Sequence, residues 1–167
     1  MISMEVSLPE TTRSSPVTDR RVSRSATIML NAKIDEVFPL FGPIREMEWA
    51  EGWNPEIIYS IDPLVEEGMI FRTSGNEEAY IWVLSKYSPD DHFVEYTVHT
   101  SARIWFIRVV CKSAGDKTSA RVTYTYTALT EAAIEQNRKA LSKMFEYDLK
   151  DWEEAINTYL ARPVRNR

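Results

Sequence analysis

The sequence predicts an α+β domain: a curved seven-stranded antiparallel sheet wrapped around a long C-terminal helix, with two short helices after strand 1. Three observations predict it. From Asn54 onward, β-branched and aromatic runs alternate with short turn signals, the texture of an antiparallel meander. A stretch of helical period then runs from about Glu131 to Ala161, and it is the only element long enough to cover an apolar sheet face. Ahead of both, one alternating run leads into apolar residues at helical spacing.

The 167 residues suffice for one domain with a substantial core. A chain that is 44% hydrophobic and 27% charged is ordinary for a globule. The net charge of −5 offers no basic face for counterion release, so nucleic acid is not expected as a partner. One cysteine, Cys111, excludes an internal disulfide and a multi-thiolate zinc site, and the two histidines, His92 and His99, make no His-rich metal centre. No metal or cofactor is expected. No apolar run reaches spanning length and no signal-peptide block stands at the N-terminus, so membrane insertion is not expected and the expected location is cytoplasmic.

Residues 1–21 are rich in Ser, Thr, Arg and Pro and read as a loose tail, residues 22–162 as the domain, and 163–167 as a short C-terminal tail. In VSRSATIMLN, Ala26, Ile28 and Leu30 alternate with Ser25, Thr27 and Met29, which predicts a half-buried strand. In AKIDEVFPLF, Ile34, Val37, Phe38 and Phe41 fall at helical spacing, with Asn31 placed to cap and Asp35 and Glu36 in the first turns. Pro43 opens a second short helix. The strands PEIIYSI, GMIFRTS, EAYIWVLSKY, HFVEYTVHT, RIWFIRVVCK and SARVTYTYTAL follow. The final helix is capped by Thr130, stopped before Pro163 and spans ~46 Å. Ile134, Leu141, Phe145, Trp152, Ile156 and Tyr159 form its apolar stripe, with Met144 beside it.

Hairpin arithmetic gives a register. A turn centred between Gly115 and Asp116 sets Val109 opposite Val122, Ile107 opposite Tyr124 and Trp105 opposite Tyr126. A turn centred between Ser101 and Ala102 sets Tyr96 opposite Ile107 and Val98 opposite Trp105. The aromatic face is then the inward one. Glu95 faces Arg108 on the outside, with His99 two steps along; a slip of one residue would carry all three inside. Ile104, Phe106 and Val110 also fall outside, an apolar surface that points to a homodimer or another protein partner.

The segments ATIMLNAKIDEVF, WAEGWNPEIIY, GMIFRT, IWVLSKYSPDDH and ARVTYTYTAL, followed by the long helix, resemble the helix-grip fold. This fold is shared by plant pollen-allergen-like proteins, START lipid-transfer domains and polyketide cyclases. The likeness, nearest to the polyketide cyclase/dehydrase and lipid-transport group of the SRPBCC / START-like superfamily, covers residues 22–161; Lys33 stands where many relatives carry Pro. The resemblance implies a fold, and a function drawn from carriers, receptors, cyclases and co-chaperones.

A straight helix in a bent sheet leaves space, and the aromatic residues of the inner face would wall it. Trp49 and Trp53 read either as wall and gate of that cavity or as core packing at a helix–loop junction. Tyr124 and Tyr126 read as ligand-facing phenols or as phenols bonded within the protein. Asp148 lies inside the helix stripe, as a cavity carboxylate or as a surface ion-pair member; Asn137 and Arg138 sit where an entrance would open. Tyr80, Trp82, Tyr96, Trp105, Leu141 and Met144 complete the expected lining. No catalytic residue is assigned. The favoured expectation is non-enzymatic carriage of a small, largely apolar molecule between sheet and helix, by burial of roughly 25 cal/mol per Å². The alternatives are an aromatase/cyclase-type enzyme acting on a polyketide-like substrate in the same cavity, and a protein-interaction module on the outer face.

Overall fold

Alternation drives the strands, and short turns join them. The computed structural model describes residues 16–61 and 65–164. Seven strands, β1 (Arg21–Leu30), β2 (Glu56–Tyr59), β3 (Ile70–Thr73), β4 (Tyr80–Ser88), β5 (Phe93–His99), β6 (Arg103–Ala114) and β7 (Lys117–Ala128), form one antiparallel sheet. Their order is β1-β7-β6-β5-β4-β3-β2. The expected register holds at every position named above: Val109 pairs with Val122, Ile107 with Tyr124, Trp105 with Tyr126, Tyr96 with Ile107 and Val98 with Trp105. All of these inner-face residues are buried.

The outer face is the polar one. Ser25 and Thr123 hydroxyls lie 2.7 Å apart, those of Ser23 and Thr125 lie 2.9 Å apart, and Arg21 Nε donates to Thr127 Oγ1 at 2.9 Å. Glu95 and Arg108 pair on this face, with Ser85 also donating to Glu95; His99 is exposed there. Ile104 and Val110 are half-buried, and the Arg21 guanidinium lies over the Phe106 ring.

Several local expectations are corrected. Asn31 does not cap the first helix: α1 (Ile34–Val37) starts after an extended Lys33, and the Asn31 N–H donates instead to Asn157 Oδ1. Pro43 opens no helix. The chain passes from α1 directly into a 3₁₀ turn, Phe38–Phe41, with Pro39 near its start, and makes another at Arg45–Glu48. Of the expected loose leader, residues 1–15 lie outside the described residues, while Val17–Arg20 forms a 3₁₀ turn whose Arg20 pairs with Glu131. Of the expected C-terminal tail, residues 165–167 lie outside the described residues.

The largest correction concerns the final helix. It is two helices, α2 (Glu131–Met144) and α3 (Lys150–Leu160). Thr130 caps α2 as expected, accepting from the Ala133 N–H at 3.3 Å. The joint, residues 145–149, runs in i→i−3 turns and places Asp148 and Leu149 in the left-handed region, at φ 50° and 57°. No proline or glycine marks it. Its cause is tertiary: the bend lets Phe145, Leu149 and Ile156 all bury against the curved sheet, at 8%, 1% and 0% exposure. α3 then runs along β1, where Glu153 accepts from the Met29 N–H at 2.9 Å and Asn157 bonds Met29 O and the Asn31 N–H.

Leu149→Ala should therefore lose about 2–5 kcal/mol of unfolding free energy in urea titration, as full burial demands. Asp148→Gly, at the exposed left-handed position beside it, should be neutral or stabilising by up to about 1 kcal/mol. A loss comparable to that of the Leu149 variant would contradict the joint.

Candidate functional site

Aromatic rings fill the hollow that a straight helix would have left. Trp82 stacks on Phe71 at 5.4 Å and meets Trp53 at 5.2 Å, Tyr96 at 5.9 Å and Trp105 at 6.5 Å. Trp105 continues to Tyr126, Tyr126 to Tyr124, and Tyr124 to Phe145 and Trp152. Trp152 closes the chain against Trp49 at 5.7 Å. Between sheet and α3 lies a void of about 20 Å³, lined by Phe41, Glu46, Trp82, Tyr96, Ile107, Val109, Tyr124 and Trp152. That is room for about one water molecule. The jointed helix follows the sheet instead of standing off from it, and this void is much smaller than the expected ligand chamber.

Several polar atoms of these rings have protein partners. Trp49 Nε1 donates to Leu40 O at 2.8 Å, Trp53 Nε1 to Pro43 O at 2.7 Å and Tyr96 Oη to Phe41 O at 2.7 Å. The first two bonds brace the segment after β1 internally, and the Tyr96 bond fastens it to the sheet. Trp49 is half-buried and packs against Phe41 and Trp152. Tyr124 and Tyr126 are buried and do not face bulk solvent. Leu141 is fully buried core and Met144 is half-buried beside it. Asp148 is corrected: it is exposed at the joint and is not among the residues that line the void. Arg138 bonds Glu135 in its own helix. Cys111 packs as a small hydrophobe, and burial pushes its thiol up to about 12.

Open space lies at the rim of the grip, on both sides of Tyr80. One cleft of about 440 Å³ is walled by Trp53, Asn54, Thr73, Ser74, Tyr80 and Trp82. Another, of about 280 Å³, is walled by Tyr80, Thr100, Arg103, Gln136 and Asn137, with Glu77 and Glu78 at its edge. Gly75 holds Tyr80 between them: a Cβ there would fall 2.5 Å from the ring and 2.2 Å from Glu78 O. Trp82 Nε1 is held by Thr73 Oγ1 at 2.9 Å. Glu78 accepts from Ser101 Oγ at 2.6 Å and Ser101 N–H at 3.0 Å, and these bonds hold its carboxyl below the usual range.

Two residues of this region were not singled out in the sequence. Arg103 reaches across the inner face, its guanidinium 4.7 Å from the Trp105 ring centre and 4.5 Å from that of Tyr126. Its alternation with Trp105 and Ile107 already placed it inward. Glu46 lies in the Arg45–Glu48 turn and faces the small void. Burial pushes its carboxyl up to about 8, and its charge helps to raise Tyr96 and, less, Tyr124, after burial. Nothing in the run of acids from Glu46 to Glu51 marks it out. Among the described residues no group of three or more His, Cys, Asp or Glu is arranged to hold a metal, and no helix is long and apolar enough to cross a membrane.

No family model matches the chain, and no curated protein sequence matches it. Solved structures do match it. The norcoclaurine synthase of Thalictrum flavum in complex with dopamine and hydroxybenzaldehyde aligns with TM-score 0.62 at 15% identity, covering 95% of this chain and 96% of that one. Ara h 8.0201 aligns with TM-score 0.59 at 10% identity over 84% and 97% of the two chains. The Zhui aromatase/cyclase from Streptomyces sp. R1128 aligns with TM-score 0.60 at 11% identity over 83% and 92%. These likenesses show the fold: the chain is folded as a helix-grip domain.

Glu46 fixes a pH dependence. The unfolded chain releases this proton near 4.5 and the folded chain near 8, so between these values the folded state binds more protons and stability falls as pH rises. Glu46→Gln should match the wild type at pH 4 and exceed it above. The margin should grow by at most about 1.4 kcal/mol per pH unit and level off above about pH 8. Parallel urea titrations from pH 4 to 9 check this; a constant difference would place the carboxyl in solvent.

Proposed function

We propose that the chain binds a small, flat, largely apolar molecule at the rim of the grip, in the clefts that flank Tyr80. The observation that carries this reading is the aromatic wall of Trp53, Tyr80 and Trp82 bordering space of about 440 Å³, continued by about 280 Å³ beyond Tyr80. Such volumes suit a one- or two-ring ligand. Stacking against indole and phenol faces supplies apolar burial, and the rim's hydroxyls and amides supply orientation. The structural neighbour solved with dopamine and hydroxybenzaldehyde supports a flat aromatic ligand class by fold analogy. The role is binding or carriage, moved from the interior to the rim.

A cyclase-type reading rests on a different observation. Glu46 is a carboxyl kept protonated near neutral pH beside Tyr96 and Tyr124, the kind of group that can deliver a proton to an enclosed substrate. It requires the void to open well beyond about 20 Å³. Nuclear Overhauser contacts between an added bicyclic ketone and the Tyr124 ring would support it, and contacts confined to the rim would reject it.

Titration with 2-naphthamide, followed by amide and indole nuclear magnetic resonance shifts, should move the Trp53 and Trp82 indole signals and leave that of Trp49 in place. Gly75→Ala, which pushes Tyr80 into the clefts, should weaken binding by about tenfold. A spectrum unmoved at millimolar naphthamide would overturn the reading.

A further inference from the structure

We infer that Arg103 and Asn137 form a carboxylate subsite at the floor of the cleft beside Tyr80, so that the molecule bound there is a flat monocarboxylic acid. The inference rests on the reading of the clefts given above and sharpens its ligand class.

The argument starts from an unbalanced set of donors. Arg103 makes no ion pair among the described residues, although Glu77 and Glu78 border the same cleft. Its guanidinium is oriented by two rings, at 4.7 Å over Trp105 and 4.5 Å over Tyr126. One of its N–H groups, on Nη1, donates to Asn137 Oδ1 at 3.3 Å. That bond decides the orientation of the amide, since a flipped Asn137 would set its NH₂ against the guanidinium. Asn137 Nδ2 is then left as a buried donor with no partner, on a residue only 1% exposed. A buried donor left unmade costs about 1–3 kcal/mol. Arg103 and Asn137 thus present one cation and an orphan amide donor, with no carboxylate bonded to either among the described residues.

A carboxylate supplies what is missing. It brings one negative charge to Arg103 and a second oxygen that can accept from the amide, in the planar form that a guanidinium fork fits. Nδ2 is covered as the cleft stands, so the second oxygen reaches it as the half-exposed Arg103 turns toward the incoming charge. A dianion fits less well. Glu77 and Glu78 stand at the edge, and Glu78 is held ionised by its bonds to Ser101. A single charge is balanced by Arg103; a second would face these acids unpaired. The ligand's flat body then lies along Tyr80, which joins the two clefts.

Calorimetric titration of the full chain with 2-naphthoate, 2-naphthamide and 2-naphthyl phosphate, at one ionic strength, tests this. Naphthoate should bind at least about tenfold more tightly than naphthamide, the difference expected of charge-assisted bonds. Arg103→Gln should collapse that ratio to near one, and Asn137→Leu should lower it several-fold. Arg103→Lys, which keeps the charge and loses the fork, should retain only part of it and carries the test if the glutamine variant does not fold. Equal affinity for acid and amide overturns the subsite and leaves the cleft reading standing. Tighter binding of the phosphate overturns the carboxylate class. No binding of any probe at millimolar concentration overturns subsite and cleft reading together.

Discussion

A curved sheet must be covered on its concave side, and everything else here depends on how the cover bends. A straight helix of the length between Thr130 and Pro163 would touch such a sheet at its middle or its ends, not throughout. The joint at 145–149 removes that conflict by holding two non-glycine residues in a left-handed conformation. The strain, of order 1–2 kcal/mol per residue, is offset by burying Phe145, Leu149 and Ile156. The same bend brings Trp152 onto Trp49 and Tyr124, and so narrows the space at the centre of the molecule.

A narrowed centre moves chemistry to the edges. Inside, the indole N–H groups of Trp49 and Trp53 and the Tyr96 hydroxyl end on backbone carbonyls, which locks the segment between β1 and β2 in place. The groups left out of this settlement are few. Glu46 faces apolar rings and keeps its proton near neutral pH. Asn137 keeps an amide without an acceptor, and Arg103 keeps a charge without an acid. Buried polar groups in folded proteins are nearly always matched, so unmatched ones concentrate attention where they occur.

Much of this was legible in the chain. Strand pairing followed from two turn centres because side chains alternate with period two, and a slip of one residue would have exposed Trp105 and Tyr124. The aromatic inner face and the polar ladder of Ser23, Ser25, Thr123 and Thr125 follow from the same rule. The helix joint was not legible, since its residues include no breaker and its cause is contact with strands distant in sequence. Asn31 had the side-chain acceptor of a cap, but the helix starts only after an extended Lys33, and the Asn31 backbone N–H is fixed across the fold to Asn157 Oδ1. The place of the open space was also hidden. It depends on how ring volumes add up, which periodicity does not report. Arg103 could have been found by alternation from Trp105; Glu46 could not, because nothing separates it from Glu48 and Glu51 until the turn is folded.

The chain of rings has an optical consequence. All five tryptophans belong to it, and each lies within three ring contacts of the next. Light absorbed by any indole can migrate to its neighbours faster than it is emitted, so the protein's ultraviolet fluorescence belongs to the assembly rather than to single residues. Trp53 and Trp82 border the open cleft at the rim, and a quencher touching either drains excitation gathered by indoles it never meets.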